Sequence, residues 1–218
     1  MKLTAVTTLT ASAVASLATL VMAPAASASV VVISDQTVWN MYTAAQGATV
    51  ATETFESFNT GYARSATGTA GATTWYAGSE GGLYFGPVDG QQALTTEFSN
   101  RTLDATLNFT FAPGVQGIGG QMFGTDENMN VVLARITVTL ADGASYTNDQ
   151  TSSANFVSFY SNGATISSIS ITTSTPNTYT TVGNLYFATV PSPGAIALLC
   201  LSGIAGTRSR RRAMPAQL

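Results

Sequence analysis

The 218-residue chain has no histidine, one cysteine and one lysine, and only 9% of its residues are charged. Each scarcity removes a chemistry. The cysteine is Cys200 and the lysine is Lys2, so the long stretch between them offers no Ser-His-Asp or Cys-His constellation and no imidazole or thiolate zinc site. A lone cysteine closes no intrachain disulfide, so an ordinary hydrophobic core must hold the fold. Positive charge is also segregated. Residues 29 to 189 carry all 11 carboxylates but only Arg64, Arg101 and Arg135, a net charge of 3 − 11 = −8. A nucleic-acid partner is excluded on that count, because phosphate contacts need a basic surface.

What the body lacks, the ends hold. Lys2 is the sole charge before Asp35, residues 3 to 22 are apolar, small or hydroxylated, and Ala26-Ser27-Ala28 has the small-x-small pattern that signal peptidase reads. Residues 1–28 are therefore expected to be a signal peptide cleaved before Ser29. At the other end Val190-Pro191-Ser192-Pro193-Gly194 precedes the apolar run from Ala195 to Gly206, and Arg208, Arg210, Arg211 and Arg212 follow. The run's 12 residues at about 1.5 Å each reach about 18 Å, short of a hydrocarbon core of about 30 Å. Such a run spans only by borrowing its flanks, with the arginines snorkelling to the headgroups and staying cytoplasmic. The expected division is a signal peptide at 1–28, an exported body at 29–189, a sorting segment at 190–213 with a short hydrophobic helix, and a tail at 214–218.

The body is long enough for one domain with a sizeable core, and its strand signals dominate. One helix is expected near its start, capped by Ser34 or Asp35, with Val38, Met41, Tyr42 and Ala45 on one face and Gly47 as the stop. From Val50 the period becomes two. Leu103, Ala105, Leu107, Phe109 and Phe111 alternate with Asp104, Thr106, Asn108 and Thr110; Val132, Ala134, Ile136, Val138 and Leu140 alternate with Leu133, Arg135, Thr137 and Thr139. Further strands are expected near 50–56, 73–76, 83–85, 115–123, 145–148, 156–160, 165–172 and 179–189, and residues 61 to 90 are glycine-rich and irregular. The fold class is mainly β, a two-sheet antiparallel sandwich with one short helix; the helices needed for parallel crossovers are missing.

The tail resembles the PEP-CTERM sorting signal of Gram-negative bacteria that make exopolysaccharide, in which a Val-Pro-Glu-Pro motif precedes a short apolar helix and an arginine cluster. Ser192 stands where that family has glutamate. The resemblance implies export, processing by signal peptidase and an exosortase, transient anchoring in the inner membrane, and a final place at the cell surface or in the extracellular matrix. The body is similar to the jelly-roll-like ectodomains that accompany such tails, through Glu53-Thr54-Phe55-Glu56, Phe111-Ala112-Pro113-Gly114-Val115, Thr139-Leu140-Ala141-Asp142-Gly143 and Val182-Gly183-Asn184-Leu185-Tyr186-Phe187. In related sandwiches an early glutamate and a late aspartate hold a structural calcium. Glu56 matches the first position; Gly183 occupies the second, which leaves Glu56 and Asn184 as the candidate calcium ligands, short of the 6 to 8 oxygens calcium takes.

Two kinds of site remain for a body without histidine or thiol. A carbohydrate-binding module stacks exposed aromatics on sugar faces, and Trp75, Tyr76, Tyr84 and Tyr160 are the candidates. Trp75 and Tyr76 are adjacent, so on a regular strand only one can face the core. Catalysis would need a glycosidase pair, Glu53 or Glu56 against Asp126 or Glu127, about 5 Å apart for retention or about 6.5 to 9.5 Å for inversion. Glu53 and Glu56 read more simply as solvated rim residues, and Asp126-Glu127-Asn128 as a charged turn. The expectation is a non-catalytic surface or matrix domain, with a lectin-like module for exopolysaccharide as the alternative.

Overall fold

The computed structural model describes residues 29–88, 90–97, 106–128, 130–150, 155–173 and 177–190. The signal peptide, with Ala26 and Ala28, and the sorting residues from Pro191 onward, Ser192, Pro193 and Arg208, Arg210, Arg211 and Arg212 included, lie outside them. Thirteen strands and one helix follow in chain order. They are β1 (Val30–Ile33), α1 (Gln36–Ala45), β2 (Thr49–Glu53), β3 (Gly61–Ala70), β4 (Thr73–Val88), β5 (Gln91–Thr96), β6 (Leu107–Phe111) and β7 (Val115–Asp126). Then come β8 (Val131–Val132), β9 (Ala134–Leu140), β10 (Ser145–Gln150), β11 (Phe156–Ser161), β12 (Ile166–Thr173) and β13 (Thr178–Thr189).

The pairings described are all antiparallel, in the order β1-β11-β7-β13-β5-β4-β6-β12-β9-β10, with β2 on β13, β3 on β4 and β8 on β7. The mainly β, antiparallel expectation thus holds, but one hydrogen-bonded sheet of thirteen strands stands where two separate sheets were expected. It curls nearly into a barrel, bringing β12 across from β7 and β13. Strand β4 makes the continuity. Its first half pairs with β6 and its second half with β5, and β5 then joins β13.

Alternation places one side of each strand in the core. Trp75 and Ala77, then Leu83 and Phe85, point inward from β4; Phe109, Ile136, Val138, Phe159, Ile169, Ile171 and Phe187 meet them. Burying each such side chain contributes about 1.5–3 kcal/mol. A second apolar cluster of Ile33, Trp39, Phe156, Tyr160 and Ala188 lies under α1.

Asp35 caps that helix, its carboxylate accepting from the Val38 amide at 2.9 Å, and Gly47 ends it with φ +68°. The buried stripe is Trp39 and Thr43 with Tyr42 half-buried, whereas Val38 and Met41 are 51% and 70% exposed. The expected face is therefore rotated by one residue. Trp39 has more apolar surface than either Val38 or Met41, and β7 offers it a seat: a Cβ on Gly117 would fall 2.4 Å from the Trp39 ring. The side chain that must be buried sets the rotation of the helix.

Candidate functional site

The glycine-rich segment read as irregular, residues 61 to 90, contains β3 and β4, and the pairing between them carries a defect that shapes the surface. Ala63 pairs with Leu83 and Ser65 with Gly78, so Ser79–Gly82 bulge out of β4 opposite the single residue Arg64. Gly82 has φ +95°, a region closed to most side chains, and its carbonyl accepts from the Glu97 amide at 2.9 Å. A Cβ there would also lie 2.9 Å from Glu97 Oε2, so the carboxylate rests directly over glycine backbone.

The bulge opens a hollow of about 610 Å3, lined by Tyr62, Arg64, Ser79, Glu80, Gly82 and Glu97 among others. Among the described residues the side chains of Arg64, Glu80 and Glu97 make no hydrogen bond or ion pair. Tyr62 stands at its edge, 67% exposed, with its ring centroid 5.0 Å from that of Tyr84. Tyr84 lies flat along the strand: a Cβ on Gly86 would meet its ring at 2.4 Å. Tyr76 repeats the arrangement over Gly78, with the nearest ring atom at 3.3 Å. Two Tyr-x-Gly units thus bracket the bulge, each glycine making room for the ring two residues before it.

A tyrosine face beside a guanidinium, two carboxylates and a serine hydroxyl can stack on the C–H face of a sugar and hydrogen-bond its hydroxyls. The volume lies within the range of small-ligand sites.

The aromatic candidates divide. Tyr76 is 47% exposed and Tyr84 is half-buried on the outer face. Trp75 and Tyr160 are withdrawn from the surface at 1% and 3% exposure, which takes both out of any stacking set. Trp75 fills the core against Phe55 and Phe109, and Tyr160 packs edge-on against Trp39 and Tyr42. Burial raises the Tyr160 phenol above its ordinary value, with Tyr42 adding to the shift.

The carboxylates divide too. Glu53 is not a solvated rim residue but buried, accepting from the Phe55 amide at 2.8 Å and from Trp75 Nε1 at 3.0 Å. It holds Phe55 at φ +59°, a backbone region unfavourable to a bulky side chain. Asp126 accepts from the amides of Asn128 and Asn130, both at 2.8 Å, and from Asn130 Nδ2 at 2.9 Å. The Asn130 side chain foremost, then those amides, hold its carboxyl below the ordinary value. Glu127 is exposed beside it.

Glu53 and Asp126 pair with Leu185 and Thr178 of β13, seven residues apart, which places them about 23 Å from each other along that strand. No hydrolytic pair joins those two positions. Asp149, patternless in the sequence, forms a two-point bond with Arg135, Nε to Oδ1 at 2.9 Å and Nη2 to Oδ2 at 3.1 Å.

Glu56 is exposed in the turn after β2. Asn184 sits in the β13 bulge, and its amide donates to Gln121 Oε1 at 3.2 Å and Gln91 Oε1 at 3.4 Å. Among the described residues no group of three or more acidic, histidine or cysteine side chains is placed to hold a metal.

The sequence reading missed Tyr62, Arg64, Glu80 and Glu97. The available signal was the Gly78-Ser79-Glu80-Gly81-Gly82 run between the two Tyr-x-Gly units. No protein-family model and no curated protein matches the chain.

Proposed function

We propose that this is an exported, exosortase-sorted protein of the cell surface or extracellular matrix, whose jelly-roll-like domain has no catalysis of its own and binds extracellular polysaccharide. The observation that carries the binding is the Tyr62–Tyr84 pair at the edge of a hollow with three charged groups that have no partner among the described residues. Charges beside an exposed ring are poised for a polar ligand, whereas Asp126 is spent on the Asn128 and Asn130 amides and Asp149 on Arg135.

The reading of both ends agrees with the described ladders. Val30 opens β1, and the Ser29 carbonyl accepts from the Asn162 amide at 3.0 Å, so cleavage before Ser29 keeps every paired residue among those described. Thr189 is the last residue in the β7 and β2 ladders, one residue short of Pro191-Ser192-Pro193. Signal peptidase before Ser29 and an exosortase at the Pro-Ser-Pro motif would release an intact domain. The inner membrane holds it only in transit.

The test is binding of the exported protein to polysaccharide from the producing cell, with and without calcium. Tyr62→Ala is expected to weaken binding by at least tenfold, about 1.4 kcal/mol, because the ring face is removed while the buried core is untouched. Tyr76→Ala, outside the hollow lining, is expected to stay within about twofold. Wild-type protein that binds no polysaccharide under either condition would sink the reading.

A further inference from the structure

The end of the domain from which the tail departs has a surface of its own. The β3–β4 turn, the β6–β7 turn and the end of β13 enclose an open hollow of about 450 Å3 around Gly71, Ala72, Pro113, Gly114, Thr189 and Val190. Its described lining carries no charge. The body as a whole has a net charge of 3 − 11 = −8, so a hollow without charge stands apart from it. The turns that form it are Ala70-Gly71-Ala72-Thr73 and Pro113-Gly114. Asp142, at the same end, belongs to the β9–β10 turn, separated from β6 by β12.

The chain leaving this hollow limits where the domain can stand. Val190 is 37% exposed at the rim. Only Pro191, Ser192, Pro193 and Gly194 separate it from the apolar run that begins at Ala195. Five Cα steps of at most about 3.6 Å span no more than about 18 Å. Once that run enters a bilayer, the end bearing Gly71, Ala72 and Pro113 is held within that reach of the headgroups. The other end, with Asp126 and Glu127, lies about 35 Å away along the twelve residues of β7.

We infer that this uncharged hollow is a bilayer-facing surface, its small side chains seated at the headgroup level while the tail is inserted. Ala72, Pro113 and Val190 enter an interface without the desolvation cost that a carboxylate would carry. An acidic domain is thereby held with its uncharged hollow toward the lipid and with Asp126 and Glu127 away from it. The inference rests on the reading of the tail as a membrane hold given above.

The experiment uses the full chain with Cys200→Ser, inserted into vesicles of phosphatidylethanolamine and phosphatidylglycerol. A single fluorophore is placed on Ala72→Cys or on Glu127→Cys. Flotation reports insertion, and a headgroup-level spin-labelled lipid reports proximity. The expected result is co-flotation of both proteins, with the label at position 72 quenched more strongly than that at 127. Flotation with equal quenching overturns the inference and leaves the tail reading standing. Failure of both to float overturns the tail reading and the inference with it.

Discussion

Replacing Glu53 with alanine is expected to cost about 2 to 5 kcal/mol of stability. The carboxylate accepts from two donors, the Phe55 amide and Trp75 Nε1, and both are in the core. Truncation leaves each donor without its partner, and an orphaned buried donor costs about 1–3 kcal/mol. It also releases Phe55 from φ +59°, a conformation that the Glu53 bond holds. Glu53→Gln keeps an acceptor for one donor, so it should lose about half as much. Denaturant unfolding of the three proteins measures this ladder. A loss under about 0.5 kcal/mol for the alanine variant would mean that Glu53 is the solvated residue the sequence reading took it to be.

The second large effect is expected at Gly120. Between Val182↔Met122 and Leu185↔Gly120 the longest ladder takes up one extra residue on β13, and the bulge drives the Asn184 carbonyl against β7. A Cβ on Gly120 would lie 2.3 Å from that oxygen. The obstacle is backbone, so no rotamer relieves it, and Gly120→Ala should cost about 3 kcal/mol. Gly183, in the bulge itself, is the control. Its Cβ would meet the end of the Gln121 side chain at 3.3 Å, which can move aside. Gly183→Ala should cost under about 1 kcal/mol. Equal losses by thermal or denaturant unfolding would contradict this account of the β7–β13 contact.

Legibility followed the quality of the alternation. Leu107, Phe109, Ile136, Val138 and Leu140 sit in the core as their period of two requires, and the turn at Asp142-Gly143 forms with the aspartate accepting from Ala144. Strand β3 and the full length of β4 were hidden because Gly61, Gly68, Gly78, Gly82 and Gly86 break the apolar pattern by which a strand is recognised, and β5, Gln91-Gln92-Ala93-Leu94-Thr95-Thr96, has no apolar alternation to read. Glycine there marks close approach rather than looseness: Gly68 lies against the Trp75 indole, Gly86 against Tyr84. The rotation of α1 turned on the size of Trp39, a tertiary effect that spacing alone does not carry. The same limit concealed the hollow. Arg64, Glu80 and Glu97 are isolated charges in the sequence and meet only because four residues of β4 bulge opposite one of β3. Tyr84 was found as an aromatic near glycine; its partner Tyr62 was not, because pairing across β3 and β4 is invisible until those strands are known.

The central claim is that the Tyr62 hollow is where this domain meets polysaccharide. Nuclear magnetic resonance of the mature, isotope-labelled protein, titrated with oligosaccharides cut from the producing cell's own exopolysaccharide, tests it residue by residue. The account predicts saturable shifts at Tyr62, Arg64, Ser79 to Gly82 and Glu97, with the buried Trp39 and Trp75 indoles unmoved. Shifts centred instead on the Thr110 and Thr137 face of the sheet, or no shifts at saturating sugar, would contradict it.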